Sequence, residues 1–328
     1  MQRFNRRHAL GALGALTSLG QTSWAAGPYP QRPINVLVPF AAGGIADLTV
    51  RAVTQAMSGP LGQPIVIDNR PSAGSIVASQ AVAGAPPDGH TVLLMSNGHA
   101  VAPHLFKKLG FDPQKDFAPV CVLGRFGLAA FVSASSSFTS LAQCVAHAKK
   151  NPGKLTVGSV AIGSTQHLSA LLFLQRAGIE AVVVPYKSTP NLLGALRAGE
   201  VDLVFEILGP WLPQVVGGAV RALAVTSHDR DPELPQVPTV AEAGGPGLAG
   251  YAVQSWNGLA VPAKTPADVV ARLNQVANEA LAQPGVIKQL KALAVRTQGG
   301  TPEQMRQWLA AETKHWGDVV TTAKLEAS

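Results

Sequence analysis

Two stretches of this sequence combine glycines, hydroxyls and a helix start in the way an anion-binding loop requires. The first is PFAAGGIAD at positions 39–47, which runs from a β-branched segment into a helical one. Gly43 and Gly44 let the backbone approach a ligand closely. The unpaired N–H groups and the positive dipole end at such a helix start favour a negative charge. Phe40, Ala42, Gly43, Gly44, Ile45, Ala46 and Asp47 are therefore candidate binding residues. An ordinary strand-to-helix turn capped by Asp47 accounts for the same residues, so the loop alone does not choose between the two. Gly-x-Gly-x-x-Gly and the Walker lysine are both missing, which leaves dinucleotides and nucleoside triphosphates unsupported.

The second stretch is SVAIGSTQH at 159–167. Ser159, Ile162, Gly163, Ser164 and Thr165 offer hydroxyls and amides between a strand and a helix, with Ser164 read as a hydrogen-bond donor to a carboxylate. Ser164 followed by His167 invites a serine-hydrolase reading. Gly-x-Ser-x-Gly is absent, however, and at this spacing His167 lies one helical turn along rather than beside the hydroxyl. His167 is read as helix packing or as a wall of the site. A third segment ends a strand at Tyr186-Lys187-Ser188, where Lys187 either neutralises an anion or is simply solvated. Glu206 closes an apolar strand; it binds a ligand ammonium or hydroxyl, or pairs with a local arginine.

The elements that must position these loops alternate in period. Strand-like runs at 34–38, 65–67, 91–95, 120–123, 129–132, 155–158, 182–184, 201–205 and 222–225 alternate with helical patterns at 47–57, 141–149, 165–175 and 191–197. That order predicts an α/β protein with mainly parallel sheets. Two helices follow towards the carboxy terminus. Thr265-Pro266 reads as an N-cap with proline at the first helical position, and Thr301 with Gln304 as a capping box. Neither helix carries residues suited to chemistry.

Arg3, Arg6 and Arg7, the apolar run 9–19 and Ser23-Trp24-Ala25 form the three parts of a secretory signal, expected over 1–25, with an apolar core too short to span a bilayer. Arg6-Arg7 leaves both the Sec and the twin-arginine routes open. Without those three arginines, 23 basic residues face 19 acidic ones, and the formal charge falls from +7 to +4. The charges are dispersed, and no nucleic-acid motif is visible. Cys121 and Cys144 either pair, closing a loop of about two dozen residues worth ~3 kcal/mol, or act as small buried hydrophobes. Zinc-site spacing is missing, and no metal or cofactor is expected.

Read in order, these segments resemble the receptor family of tripartite tricarboxylate transporters, the Bug proteins. The likeness runs through YPQRPI (29–34), PFAAGG (39–44) with Asp47 and Arg51, LGQP (61–64), DNRP (68–71), PDG (87–89), DFAP (116–119) and NPGK (151–154). Gly163-Ser164 with His167-Leu168, PYK (185–187), RALAVT (221–226), VPT (237–239), AEAG (241–244) and Trp256 follow. The resemblance implies a two-lobed periplasmic binding protein fold of type II-like form. Each lobe is a mainly parallel sheet flanked by helices, and crossing strands join them. Lobe one is expected over 27–126 and 252–328, lobe two over 127–251. It further implies a monomeric periplasmic receptor, not an enzyme, that closes on a small mono-, di- or tricarboxylate or an acidic or aromatic acid and hands it to a membrane transporter. A receptor signalling to a partner protein is the alternative, with an exported serine hydrolase behind it. By resemblance the loop 40–47 grips one carboxylate, Ser164 and its neighbouring amides form the second grip, and Lys187 and Glu206 stand where the family varies with ligand. Ser72, Ser75 and Ser188 replace glycines frequent in the family, and Glu206 a frequent aspartate.

Overall fold

The computed structural model describes residues 29–160 and 162–322; the segment read as a signal, 1–25, lies outside them. The expected alternation is present. It begins with β1 (Ile34–Val38), α1 (Ile45–Leu61), β2 (Ile65–Asn69), α2 (Ile76–Ala83), β3 (Thr91–Ser96) and α3 (Asn97–Leu105), followed by the long β4 (Phe117–Ser133). Next come α4 (Leu141–Lys150), β5 (Leu155–Val160), α5 (Thr165–Ala177), β6 (Ala181–Tyr186), α6 (Thr189–Ala198), β7 (Leu203–Ile207), α7 (Leu208–Val216), β8 (Val220–Val225) and the short α8 (Val240–Ala243). The chain ends with β9 (Gln254–Pro262), α9 (Ala267–Leu281), α10 (Pro284–Ala292), β10 (Val295–Gly299) and α11 (Pro302–Thr322).

Two sheets share one strand. In the first, β2, β1 and β3 run parallel, and β9 and then β4 add antiparallel, with β10 also on β4. In the second, β6, β5 and β7 run parallel, while β7 and β8 each pair antiparallel with β4. Residues 117–127 of β4 belong to the first sheet and residues 128–133 to the second, so a single strand crosses between the lobes. The sequence reading split this strand into runs at 120–123 and 129–132, and Gly124-Arg125 and Gly127 lie between them. The structure gives a reason for Gly124. A Cβ there would lie 2.8 Å from the carbonyl oxygen of Arg296, so glycine is needed for close approach of β10 rather than for a turn. Arg125 is absorbed by stacking 3.6 Å from the centroid of the Trp308 ring on α11.

The inner parallel strands β3, β5 and β7 are buried along almost their whole length, which explains their largely apolar runs, while the edge strands β2 and β6 are partly exposed. Val36, Leu37, Val38, Leu93, Leu94 and Met95 are all buried, each contributing about 1.5–3 kcal/mol of transfer free energy. In the second lobe Phe131 stacks on Trp211 at 4.8 Å, closing the layer between the sheet and α7.

The capping box at Thr301 is present: Gln304 N donates to the Thr301 hydroxyl, and Thr301 N to the Gln304 side chain. The Thr265 cap is not. Its hydroxyl donates to Pro262 O at 2.7 Å, and Pro266, still extended at ψ 143°, precedes the first helical residue. Cys121 and Cys144 are both buried and unpaired.

Candidate functional site

The three parallel strands of each sheet each lead into a helix, directly for β3 and β7 and through a short loop for the others. The first loop leaves β1 at Val38, turns at Gly43 (φ +80) and starts α1 after Gly44. Ala42, Gly43 and Gly44 are exposed, Phe40 is half-buried, and Ile45, Ala46 and Asp47 are buried. The first intrahelical bond runs from Leu48 N to Gly44 O, so the amides of Ile45, Ala46 and Asp47 have no acceptor within the helix.

Asp47 turns inward. Its carboxylate accepts from Gly43 N at 2.9 Å, from Arg51 Nε at 2.9 Å and from Asn69 Nδ2 at 3.0 Å. Asn69 Nδ2 also donates to Phe40 O at 3.0 Å, and Arg51 Nη2 to Asn69 Oδ1 at 3.2 Å. Burial alone would raise the Asp47 pKa. The donors from Arg51, Gly43 and Asn69 outweigh it and hold the carboxyl below its ordinary value. Asp47 thus braces the loop from behind, and its negative charge is spent on Arg51 rather than offered to a ligand. Arg51 and Asn69 were not among the candidate residues. The i,i+4 spacing of Asp47 and Arg51 was visible in the sequence, but the Asn69 contact was not.

The second loop follows β5. Ser159 is fully buried and its hydroxyl has no hydrogen-bond partner among the described residues, Ile162 is exposed, and Gly163 sits at φ +81. Ser164 caps α5, donating through Oγ to Val160 O and accepting from His167 N at 3.2 Å. Its hydroxyl proton is therefore committed to the backbone, and the group aimed at a ligand in the sequence reading works here as a helix cap. His167 Nδ1 accepts from Gly163 N at 3.4 Å, and burial pushes the imidazole pKa down. No bond joins the Ser164 hydroxyl to the His167 ring, so the nucleophile–base pair of a hydrolase is not formed. What remains for an anion are the amides at the start of α5, where the first intrahelical bond runs from Leu168 N to Ser164 O.

The two loops do not hydrogen-bond to each other among the described residues. The second loop meets the first lobe through groups the sequence reading missed. The Phe106 ring lies 3.9 Å from where a Cβ of Gly163 would stand and 2.5 Å from where a Cβ of Gly74 would stand, so the ring sits between a glycine from each lobe. Thr165 Oγ1 meets Ser255 Oγ of β9 at 3.0 Å. Nearby, Asn97 Nδ2 donates to Gln254 O at 2.9 Å, while Asn97 Oδ1 and Asn257 Oδ1 are buried without a partner among the described residues. Asn97 and Asn257 flank the pairing of β3 with β9, where Ser96 is the register partner of Asn257. Of these two acceptors, only Asn97 could be noticed in the sequence, as an Asn directly after a strand-like run; Asn257 lies inside β9, which the sequence reading missed. Ser75 takes φ +61, a backbone region where glycine is easier.

Lys187 is exposed and in no ion pair among the described residues. Ser188 caps α6, accepting from Asn191 N and donating to Asn191 Oδ1 at 2.5 Å, so its hydroxyl is also taken up locally. Glu206 has no arginine partner among the described residues. It is 1% exposed and accepts from Gln166 Nε2 at 2.7 Å, Ile207 N at 2.8 Å and Thr189 Oγ1 at 3.0 Å, while burial pushes its pKa up. A depression of about 510 Å³ opens elsewhere, over edge strand β2 beside Val66, Asp68 and Arg70. It shares only Asn69 with the groups described above. Among the described residues no cluster of His, Cys, Asp and Glu is suited to a metal, and no helix is long and apolar enough to cross a membrane.

Comparison with known proteins agrees with this layout. The family model described as the tripartite tricarboxylate transporter family receptor matches residues 49–325. A protein from the tcbD-tcbE intergenic region of Pseudomonas sp. strain P51 is 36% identical over 329 residues, covering 100% of this chain and 97% of its own length. The periplasmic binding protein BugD superimposes with a TM-score of 0.84 at 30% identity, over 92% of this chain and 100% of BugD. The R. palustris protein Rpa4515, solved with adipate, gives a TM-score of 0.85 at 34% identity, over 92% of this chain and 100% of its own. Fold and sequence agree over nearly the whole described chain, which therefore belongs to the tripartite tricarboxylate transporter receptor family of periplasmic solute-binding proteins.

Proposed function

We propose that this protein captures a small carboxylate between its lobes, 27–126 with 252–328 and 127–251, and delivers it to a tripartite tricarboxylate-type membrane transporter. One observation carries the reading. Each lobe presents a glycine-bearing loop at the start of a helix, and Phe106 brings the second of these loops against the first lobe. The amides of Gly44, Ile45 and Ala46 are assigned to one carboxylate, and those around Gly163 and Thr165 to the second grip. Charge-assisted bonds from amides are stronger than neutral ones, and lobe closure that excludes water strengthens them further. The adipate held by the R. palustris protein supports the ligand class.

We read the chain as a monomeric receptor without a catalytic step, because the Ser164 proton is already directed to Val160 O. The test is a thermal-shift and calorimetric screen of mono-, di- and tricarboxylates, aromatic acids and acidic amino acids on the purified mature chain. A true ligand at 100 times its Kd stabilises the folded state by about 2.7 kcal/mol. Silence across the whole panel sinks the reading.

A further inference from the structure

Two strands follow one another along β4 with a single residue between them. β7 ends with Ile207 opposite Leu128, β10 begins with Val295 opposite Phe126, and Gly127 lies between those register positions. This is where β4 leaves the first sheet for the second. Gly209, buried in the first turn of α7, lies two residues past the end of β7. A Cβ there would stand 2.0 Å from Leu293 O, two residues before β10, so the two backbones touch directly. Ala294 follows at φ +52, a left-handed conformation that costs an alanine energy. Such a residue often ends a helix, though it is usually glycine. Here the alanine packs against the apolar cluster of Leu208, Trp211 and Phe131, and among the described residues it is the only member of that group outside 127–251. Strain of this kind persists where the surroundings over-determine the backbone. Arg296 Nη2 and Asp231 Oδ2, 3.9 Å apart, add a weak ionic contact between the same two parts.

A second junction between the sheets is held by bonds instead. Thr226 N donates to Leu128 O at 2.9 Å, and Val253 N donates to Thr226 O at 2.7 Å. The buried Thr226 hydroxyl donates to Val253 O at 2.7 Å and accepts from Leu128 N at 3.2 Å. Thr226 thus ties β4 to the segment entering β9, the two stretches that pass from one sheet to the other. No hydrogen bond joins α7 to Leu293 among the described residues, and that junction is closed by contact alone. We propose that the abutment of Gly209 on Leu293-Ala294 is a stop that sets the angle between the two lobes, with Thr226 as the pivot. Contact at van der Waals distance resists compression steeply, while separation meets only weak attraction. A hinge built this way turns freely in one direction and halts in the other. The proposal rests on the two-lobed frame and not on the nature of the solute.

The experiment measures the distance between nitroxide labels on the two lobes of the mature chain by double electron–electron resonance. The labels sit at exposed positions, Gln55→Cys on α1 and Lys150→Cys on α4, and the buried Cys121 and Cys144 stay in place. Gly209→Ala must widen a 2.0 Å approach to an ordinary contact of about 3.5 Å. The parts therefore move by ~1.5 Å beside the crossing strand, and the mean label distance is expected to shift by more than that. Ala294→Gly relieves the backbone and removes the packed methyl, and it is expected to broaden the distance distribution. Gly194→Ala, with nothing within 4 Å of the added Cβ, is the control and leaves the distribution unchanged. Distributions in Gly209→Ala and Ala294→Gly that match the control show the strain absorbed locally and overturn the stop. Ala294→Gly decides by itself if Gly209→Ala does not fold. No solute is needed, so silence in the carboxylate screen leaves this result standing.

Discussion

His99 offers a direct test of how the mouth of the first lobe is built. It lies in the first turn of α3, fully buried, and closes the capping box around Ser96. Its Nδ1 accepts from Ser96 N at 3.1 Å, and Nε2 meets the Ser79 hydroxyl at 3.0 Å. Burial pushes its pKa from the ordinary 6.5 down to about 4. Because the folded state resists protonation, the unfolded chain binds the proton first. His99 therefore costs nothing above pH 6.5 and drains stability as the pH falls towards 4. A shift of this size removes about 2 kcal/mol by pH 5 and about 3 kcal/mol by pH 4. His99→Gln keeps an acceptor for Ser96 N, since glutamine at this position of a capping box can reach back, and it removes the titration. Urea unfolding at pH 7.5, 6.5, 5.5 and 5.0 should show the wild type losing about 2 kcal/mol more than the variant across that range. Above pH 5 carboxylates such as Asp47 are still ionised and cancel in the comparison. Curves that stay parallel within about 0.5 kcal/mol would refute a neutral, desolvated imidazole.

Other outcomes follow from the same packing. A Cβ on Gly209, the second residue of α7, would stand 2.0 Å from Leu293 O, so Gly209→Ala should cost about 1–3 kcal/mol in chemical denaturation. Gly194→Ala within α6 meets nothing within 4 Å and should instead stabilise by about 0.5–1 kcal/mol; equal effects would discredit the contact. Asp47→Asn breaks the charge-assisted bonds that brace the first loop, with an expected loss of about 2–3 kcal/mol and weaker carboxylate binding by calorimetry. In the wild type the same contribution is present above pH 4 or so and fades as the pH falls below it, because the folded pKa is lowered. Ser164→Ala removes an N-cap and should cost about 1 kcal/mol without altering any ester or amide turnover. A hydrolytic rate that disappears in this variant would restore the enzyme reading.

Much of the fold was legible because its signals are local. The strands at 34–38, 91–95 and 155–158 and the helix ends at Gly178 and Gly199 follow from periodicity and from glycines in the left-handed region, whereas α1 runs on to Leu61, beyond the 47–57 read from the sequence. β4 was read as two runs, and the need for Gly124 between them shows only when β10 is seen lying against it. β9 was missed because its residues mix Ser, Asn and Gly with apolar ones, and only pairing with β3 and β4 makes it a strand.

The loops at Gly43-Gly44 and Gly163-Ser164 were found from sequence because a glycine beside a helix start is a local feature. What each side chain does there was not local. Asp47 and Ser164 were read as facing a ligand, yet Asn69, 22 residues away, claims the first, and Val160 O takes the proton of the second. Glu206 meets donors on two other strand-to-helix connections, 40 and 17 residues distant, and Asn97 reaches Gln254 across 157 residues. The sequence alone determined where unpaired amides occur, since three-residue geometry at a helix start leaves them free whatever surrounds it. Tertiary structure decided which polar side chains remain available, because each spends its few hydrogen bonds on whichever partner the fold brings within 3 Å or so.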